Sequence, residues 1–287
     1  MGPARLWSPI SISSSKNTIN LEGDWKAMPS AELYNDNFYR LDVDYIKSTT
    51  RPDIVKVTSW TPTVLYNAMI HPLIPYNIKG AIWYQGESNV GFEDEYEKTF
   101  QAMIQGWRKQ WSYEFPFYFV QIAPYDYENG LSAALRNAQY KSTATSKTGI
   151  VSTLDLGNSK NIHPANKMDV GKRLANLTLG NDYGISGRLH ASKPVSIKQK
   201  ESKLIVNFDC QDGGHVSVKP KTNEIEISSD NITYHPAKVL ANGCSIHVSS
   251  YKVPRPKYVR HAWSDTGTGS IVNEQNETIC AFLLNLE

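Results

Sequence analysis

The sequence is short of charge, of cysteine and of long apolar runs, and each shortage closes off a class of function. Only 20% of the 287 residues are charged, and 30 Lys and Arg nearly balance 28 Asp and Glu, for a net +2. No long basic stretch interrupts this balance, so nothing points to nucleic acid as a partner. No apolar run reaches the 18 residues that a membrane-spanning helix needs, so a soluble chain with no membrane partner is expected. Met1-Gly-Pro-Ala-Arg5 leads to no apolar run before Ser8-Pro9, and no signal peptide is visible. The three cysteines, Cys210, Cys244 and Cys280, share no close spacing. They allow one disulfide with one free thiol, or three buried thiols, and form no metal pattern. Phosphate loops, dinucleotide fingerprints and paired-Cys zinc motifs are also missing, so neither cofactor nor metal is expected.

Aromatics, in contrast, are plentiful: 7 Trp, 16 Tyr and 8 Phe. Most belong in a core or at its rim, although such rings can also line a sugar-binding surface. Three regions follow from the pattern along the chain. Residues 1–61 read as an irregular segment with short strands, in which Trp25, Phe38, Tyr39 and Trp60 suggest some packing. Residues 62–190 alternate strands and helices. Val64 to Ile70 suits a helix with Leu65, Met69 and Leu73 on one face. Strands are predicted over 79–84, 117–122 and 149–155. Helices are predicted over 93–111, 131–141 and about 165–179, the last with Met168, Leu174 and Leu177 facing inward. This alternation predicts an α/β fold with a doubly wound parallel sheet covered on both faces. Residues 191–287 carry short alternating strands between Gly, Asn and Pro turns, and read as a smaller β-rich module.

Two polar segments fall beyond predicted strand ends, where such sheets place their chemistry. The first is Gln85-Gly-Glu-Ser-Asn89. Gln85 and Asn89 each carry an amide N–H that can meet a developing oxyanion, and Gly86 allows a tight turn. Glu87 can orient such donors or bind a hydroxyl. Ser88 tempts as a nucleophile, but Gly-Glu-Ser-Asn-Val lacks the second glycine of the usual elbow. The second segment is Asn161-Ile-His163-Pro164. His163 stands between a strand and a helix start and has the chemistry of a general base. Asn161 can accept a hydrogen bond but has no charge. Asp155 and Asp169 are the acidic residues near enough to orient the imidazole, although Asp155 reads more simply as a turn former. The histidines of the β-rich part, at 190, 215, 235, 247 and 261, read as surface or satisfied structural residues, and His71 as part of the packing before the strand at 79–84. Arg260 and Trp263 could face the cleft.

Ile78-Lys-Gly-Ala-Ile-Trp-Tyr-Gln-Gly-Glu-Ser-Asn89, together with Pro62 to Tyr76, Phe115 to Gln121, Asp155-Leu-Gly157, Ile162-His-Pro164 and Val170 to Ala175, resembles the sialate O-acetylesterase family of SGNH-type carbohydrate esterases. The resemblance is dense from about 60 to 184 and is to the family's C-terminal part. It implies an SGNH-hydrolase-like sheet and hydrolysis of acetyl esters on sialic acid or other sugars by a serine–histidine mechanism. An acetylated carbohydrate is the implied partner, and the parent protein is implied to be secreted or periplasmic. His163 matches the family histidine, and Gln85, Glu87 and Asn89 fall in the family's string near the oxyanion pocket.

Two departures leave open whether the chain is itself an enzyme. Position 161 is Asn where the family has aspartate, and no serine block precedes the Trp-Tyr-Gln-Gly-Glu string. The sheet is therefore expected to be incomplete. Its edge would be rearranged, filled by a strand from residues 5–45 or a missing N-terminal portion, or covered by self-association. The alternative to an esterase is a non-catalytic carbohydrate-binding remnant of one.

Overall fold

The computed structural model describes residues 11–20, 31–34, 37–40, 57–59, 61–128, 130–185, 192–210, 214–220 and 224–286. The chain divides into two compact units, Met1–Leu73 and Ile74–Glu287. In the first, four short strands form two hairpins: β1 (Ser11–Ser13) with β2 (Thr18–Asn20), and β3 (Ala31–Tyr34) with β4 (Asn37–Arg40). Each strand is paired within its own hairpin, so the strand expected from residues 5–45 to fill the sheet has no counterpart among the described residues. Trp25 and Trp60 lie outside the described residues. The predicted helix at 64–70 is a wide π-type turn, Tyr66–Ile70, running into a 3-10 turn at His71–Leu73. Its expected apolar face of Leu65, Met69 and Leu73 is largely exposed.

The second unit begins with a parallel sheet, β5 (Ala81–Trp83), β6 (Phe117–Val120) and β7 (Thr148–Val151), in that spatial order. Helix α1 (Glu93–Trp111) links β5 to β6, α2 (Ser132–Lys141) links β6 to β7, and α3 (Lys167–Tyr183) follows β7. Helix α1 forms where its apolar spacing predicts. Three acidic residues in its first turn and Arg108 and Lys109 in its last complement the helix dipole, and Ser112 ends it in a left-handed turn. Alternation along β6 sorts its side chains between two layers. Phe117 and Phe119 face Phe100 of α1, within an aromatic cluster completed by Trp83 and Trp107. Tyr118 and Val120 pack with Val151 against Val170, Leu174 and Leu177 of α3. Helices therefore cover β6 on both faces.

Two expectations need correction. Met168 is 72% exposed instead of facing inward, because α3 begins at Lys167 and its buried stripe runs through Val170, Arg173, Leu174 and Leu177. The third strand stops at Val151, so Asp155 lies on the loop beyond it. The sheet is also narrow: among the described residues β5 is paired on one side only, and Ile82 at its centre is 69% exposed.

The C-terminal part of this unit is antiparallel. One four-stranded sheet runs β13 (Lys238–Asn242), β14 (Ser245–Ser249), β9 (Lys203–Phe208) and β8 (Pro194–Lys200). A second runs β12 (His235–Pro236), β11 (Ile225–Ser228), β15 (Tyr258–His261) and β17 (Phe282–Asn285). A short pair joins β10 (Val216–Val218) to β16 (Ile271–Asn273). Alternate residues of these strands, such as Leu204, Val206, Phe208, Ile246, Val248, Ile227, Val259 and Phe282, enter one shared core. Cys210 and Cys244 form a disulfide, and Cys280 is a free, buried thiol pushed up to about 12 by that burial. The whole is a mixed parallel and antiparallel α/β architecture with a smaller β-rich C-terminal region.

Candidate active site

The two polar segments occupy the loops that follow β5 and β7, at the C-terminal ends of parallel strands flanking β6. Tyr84, just before Gln85, and Leu156, just after Asp155, pack against the same apolar cluster. Lys167, four residues after His163, sets its ammonium 4.4 Å from the centre of the Tyr84 ring. These contacts bring the two loops to one end of the sheet.

The loop after β5 is built from beneath. Gly86 is buried with φ of 154°, and a Cβ there would lie 2.8 Å from Gln139 Nε2 and 2.9 Å from Ile122 Cγ2. Only glycine fits so close an approach in that conformation. Gln139, wholly buried in α2, donates to the Gln85 carbonyl oxygen (3.2 Å) and accepts from the Ile122 amide (2.9 Å). Above it, Gln85 Nε2 donates to Asn89 Oδ1 at 3.0 Å. One Gln85 N–H and the Asn89 carbonyl oxygen are thereby spent on each other, while the Asn89 amino group makes no hydrogen bond among the described residues. Glu87 begins a 3-10 turn, and its charge adds to burial in raising the phenols of Tyr84, Tyr96 and Tyr127, with Tyr84 pushed up to about 12. Ser88 is exposed in the same turn.

The loop after β7 is built differently. Asn158 and Asn161 form a small bridge, and Asn158 Oδ1 accepts from the Lys160 amide at 2.9 Å. Asn161 Oδ1 accepts from the His163 backbone amide at 2.9 Å, which engages that oxygen with the main chain and not with the imidazole. His163 is exposed. Asn166 caps α3 by accepting from the Asp169 amide at 3.2 Å.

Neither acidic residue that could have oriented the imidazole does so. Asp169 accepts from Asn166 Nδ2 and from Lys172. Asp155 accepts from both terminal nitrogens of Arg173, each at 2.7 Å, and from Thr278 Oγ1 at 2.7 Å. Burial alone would raise the Asp155 carboxyl, but the Arg173 and Thr278 bonds and the Arg173 charge outweigh it and hold the carboxyl below its usual range. Asp155 sits in the turn that its sequence context suggests, closed by the Leu156 amide on the Thr153 carbonyl oxygen (3.0 Å), and its carboxylate is in addition an ion-pair anchor. No hydroxyl or carboxylate among the described residues is hydrogen-bonded to the His163 ring.

Arg260, a residue that could face the cleft, lies on a strand of the β-rich region, where it pairs with Glu226 at 2.8 Å and lies 3.7 Å from the centre of the Tyr234 ring. His261 is a satisfied structural residue. Its Nε2 accepts from the amides of Ser270 (2.9 Å) and Ile271 (3.3 Å), which leaves Nδ1–H to donate to the Cys280 carbonyl oxygen at 3.2 Å. Burial lowers its pKa to about 4.

Gln139, Arg173 and Thr278 shape the two loops yet have no obvious sequence signal as site residues. The first two are polar positions on inward helix faces, a pattern that marks a buried partner. Nothing local marks Thr278.

Residues 55–180 match the family described as carbohydrate esterase, sialic acid-specific acetylesterase. The match lies in the middle of the chain. A sialate O-acetylesterase of Mus musculus is 34% identical over 201 residues, which is 61% of this chain and 37% of that protein. The Homo sapiens sialate O-acetylesterase is 46% identical over 70 residues, 21% of this chain and 13% of that protein. The crystal structure of a carbohydrate acetylesterase from Xanthomonas citri superposes with a TM-score of 0.72 at 33% identity, covering 79% of this chain and 55% of that one. The chain thus aligns to little more than a third of the mouse relative and about half of the solved one. At the level of the family, its resemblance is to the sialate O-acetylesterase group of carbohydrate esterases.

Proposed function

We propose that this chain carries part of the machinery of a carbohydrate O-acetylesterase, acting on acetyl esters of sialic acid or other sugars in a secreted or periplasmic setting. The observation that carries the reading is the convergence of the Gln85 and His163 loops at one end of a parallel sheet, within the stretch matched by the esterase family. In this reading the sheet is part of a doubly wound SGNH-type fold. The open side of β5 is where a further strand, or a second copy of the chain, would join it.

The chemistry assigned to the site is acyl transfer. A serine hydroxyl attacks the acetyl carbonyl carbon while His163 takes its proton, and the amides of Gln85 and Asn89 stabilise the oxyanion. Collapse of that intermediate releases the sugar alcohol, which receives the proton from His163. Water then hydrolyses the acetyl-serine with His163 again as base, and acetate leaves. Glu87 orients the amide donors or binds a sugar hydroxyl.

The test uses the whole chain with an aryl acetate and an O-acetylated sugar. Acetate release that His163→Ala abolishes, with a serine-directed phosphonate labelling one mapped serine, supports the proposal. No release at high protein concentration overturns it for this chain. A second reading, a non-catalytic carbohydrate-binding protein, is favoured by the engagement of Asn161, Asp155 and Asp169 away from the His163 ring. Saturable sugar binding untouched by the phosphonate would support that one.

A further inference from the structure

We propose that Asp155, Arg173 and Thr278 form a clasp that holds the His163 loop in place, so that the β-rich region positions the candidate base without touching it. The inference rests on the esterase reading for its catalytic meaning, and on the geometry below for the clasp itself.

Asp155 lies before His163 and Arg173 lies after it, so their ion pair closes an 18-residue span of chain at its neck. The closure is tight. The Arg173 side chain is 7% exposed, grips both Asp155 oxygens, and also donates to the Ser152 carbonyl oxygen at 2.7 Å. A bidentate guanidinium–carboxylate pair fixes orientation as well as distance.

The third member comes from far along the chain. Thr278 Oγ1 donates to Asp155 Oδ1 and lies 3.1 Å from Ser152 Oγ, which in turn accepts from the Leu154 amide at 3.3 Å. Leu154 is buried with Ala262 and Ala281, and a Cβ on Gly269 would come within 3.0 Å of its Cδ1. The segment around Thr278 is itself pinned to the sheet, because the buried Gln121 amide accepts from Ala281 N (2.7 Å) and donates to Ala281 O (3.0 Å). The neck of the loop is therefore seated in the β-rich region, while its tip, where His163 sits, is exposed. Glu277 completes the surroundings at 3.8 Å from Arg173 Nε, its carboxyl raised by burial against the pull of Arg173. An exposed tip on a rigid neck is the arrangement that holds a base at a fixed height above the sheet while leaving it open to substrate.

Three substitutions in the full chain test the clasp: Thr278→Val, which keeps the volume and removes the donor; Thr278→Ser, which restores the hydroxyl; and Arg173→Lys, which keeps the charge and removes the fork. Amide hydrogen exchange and the imidazole 15N signals of His163 are followed in each. In Thr278→Val the amides of Leu156, Asn161 and His163 should exchange about tenfold faster, the weight of roughly one hydrogen bond. Amides of α1 should be unchanged, and the His163 ring signals should broaden. Arg173→Lys should do the same, and Thr278→Ser should return the wild-type pattern. Where wild type hydrolyses acetate esters, kcat should fall in Thr278→Val and Arg173→Lys at constant KM. Unchanged loop exchange, or an increase spread equally over α1 and β6, overturns the clasp. A wild-type chain without hydrolysis overturns the esterase reading alone, because the exchange data decide the clasp separately.

Discussion

The loops after β5 and β7 stand at the same end of one sheet, but they are held by different means. The Gln85 loop is supported along its length: Gly86 is pressed against Gln139 and Ile122, and a buried amide ties its backbone to α2. The His163 loop is held at its neck by an ion pair, tied further along by the Asp126 amide donating to the Ser159 carbonyl oxygen (2.9 Å), and shaped around its exposed tip by short-range asparagine turns. A wall that stabilises charge has to be rigid before the reaction begins. A base that takes and returns a proton can sit on an exposed tip, provided the neck sets its position.

This contrast is sharpest at Gly86. Gly86→Ala should cost about 3 kcal/mol, because the new methyl meets packed atoms in a backbone conformation that alanine avoids. Urea unfolding measures it, and a loss under about 1 kcal/mol would remove the claim that the loop is built from beneath. The second expectation separates the loops by pH. His261, which holds Cys280 near the neck clasp, is neutral in the fold down to about 4. The unfolded chain protonates this histidine near 6.5, so it binds more protons than the fold between those values. Stability is therefore full above about pH 6.5 and falls as pH drops toward 4, by about 3 kcal/mol. Amides at 156–163 should lose protection earlier in that descent than those at 85–89. A His261 ring that titrates near 6.5 by NMR would contradict it. The smallest effect belongs to the tip. Asn161→Ala should cost under about 1 kcal/mol, since it removes one exposed bond to the His163 amide, and Asn161→Asp should be nearly neutral because the acceptor oxygen is kept. If Asn161→Ala proved as damaging as Gly86→Ala, the two loops would not differ as described.

How much of this was legible beforehand depended on the range of the interaction. Helix α1 was readable end to end, because its apolar spacing and its terminal charges are local. The parallel character of the sheet followed from alternation with helices, and the position of both loops followed from where the strands stop. Strands β16 and β17 were less readable because they are only three and four residues long, whereas β13 went unread although Asn242-Gly243 marks its turn into β14. Gln85 and His163 stood out because a long, specific string of residues surrounds them. Met168 was misread because apolar character alone does not tell which side of a helix start will be covered.

The sequence by itself determined the three long helices and the strands of the parallel sheet, the polar loops at their ends and the family likeness, since these depend on neighbours within a few turns of chain. Only the tertiary structure decided that Cys210 pairs with Cys244, that Asp155 belongs to Arg173 and Thr278, and that Asn161 bonds main chain. A carboxylate or a thiol has many chemically equivalent partners along a chain. Packing of distant segments selects one of them, and no local pattern encodes that choice.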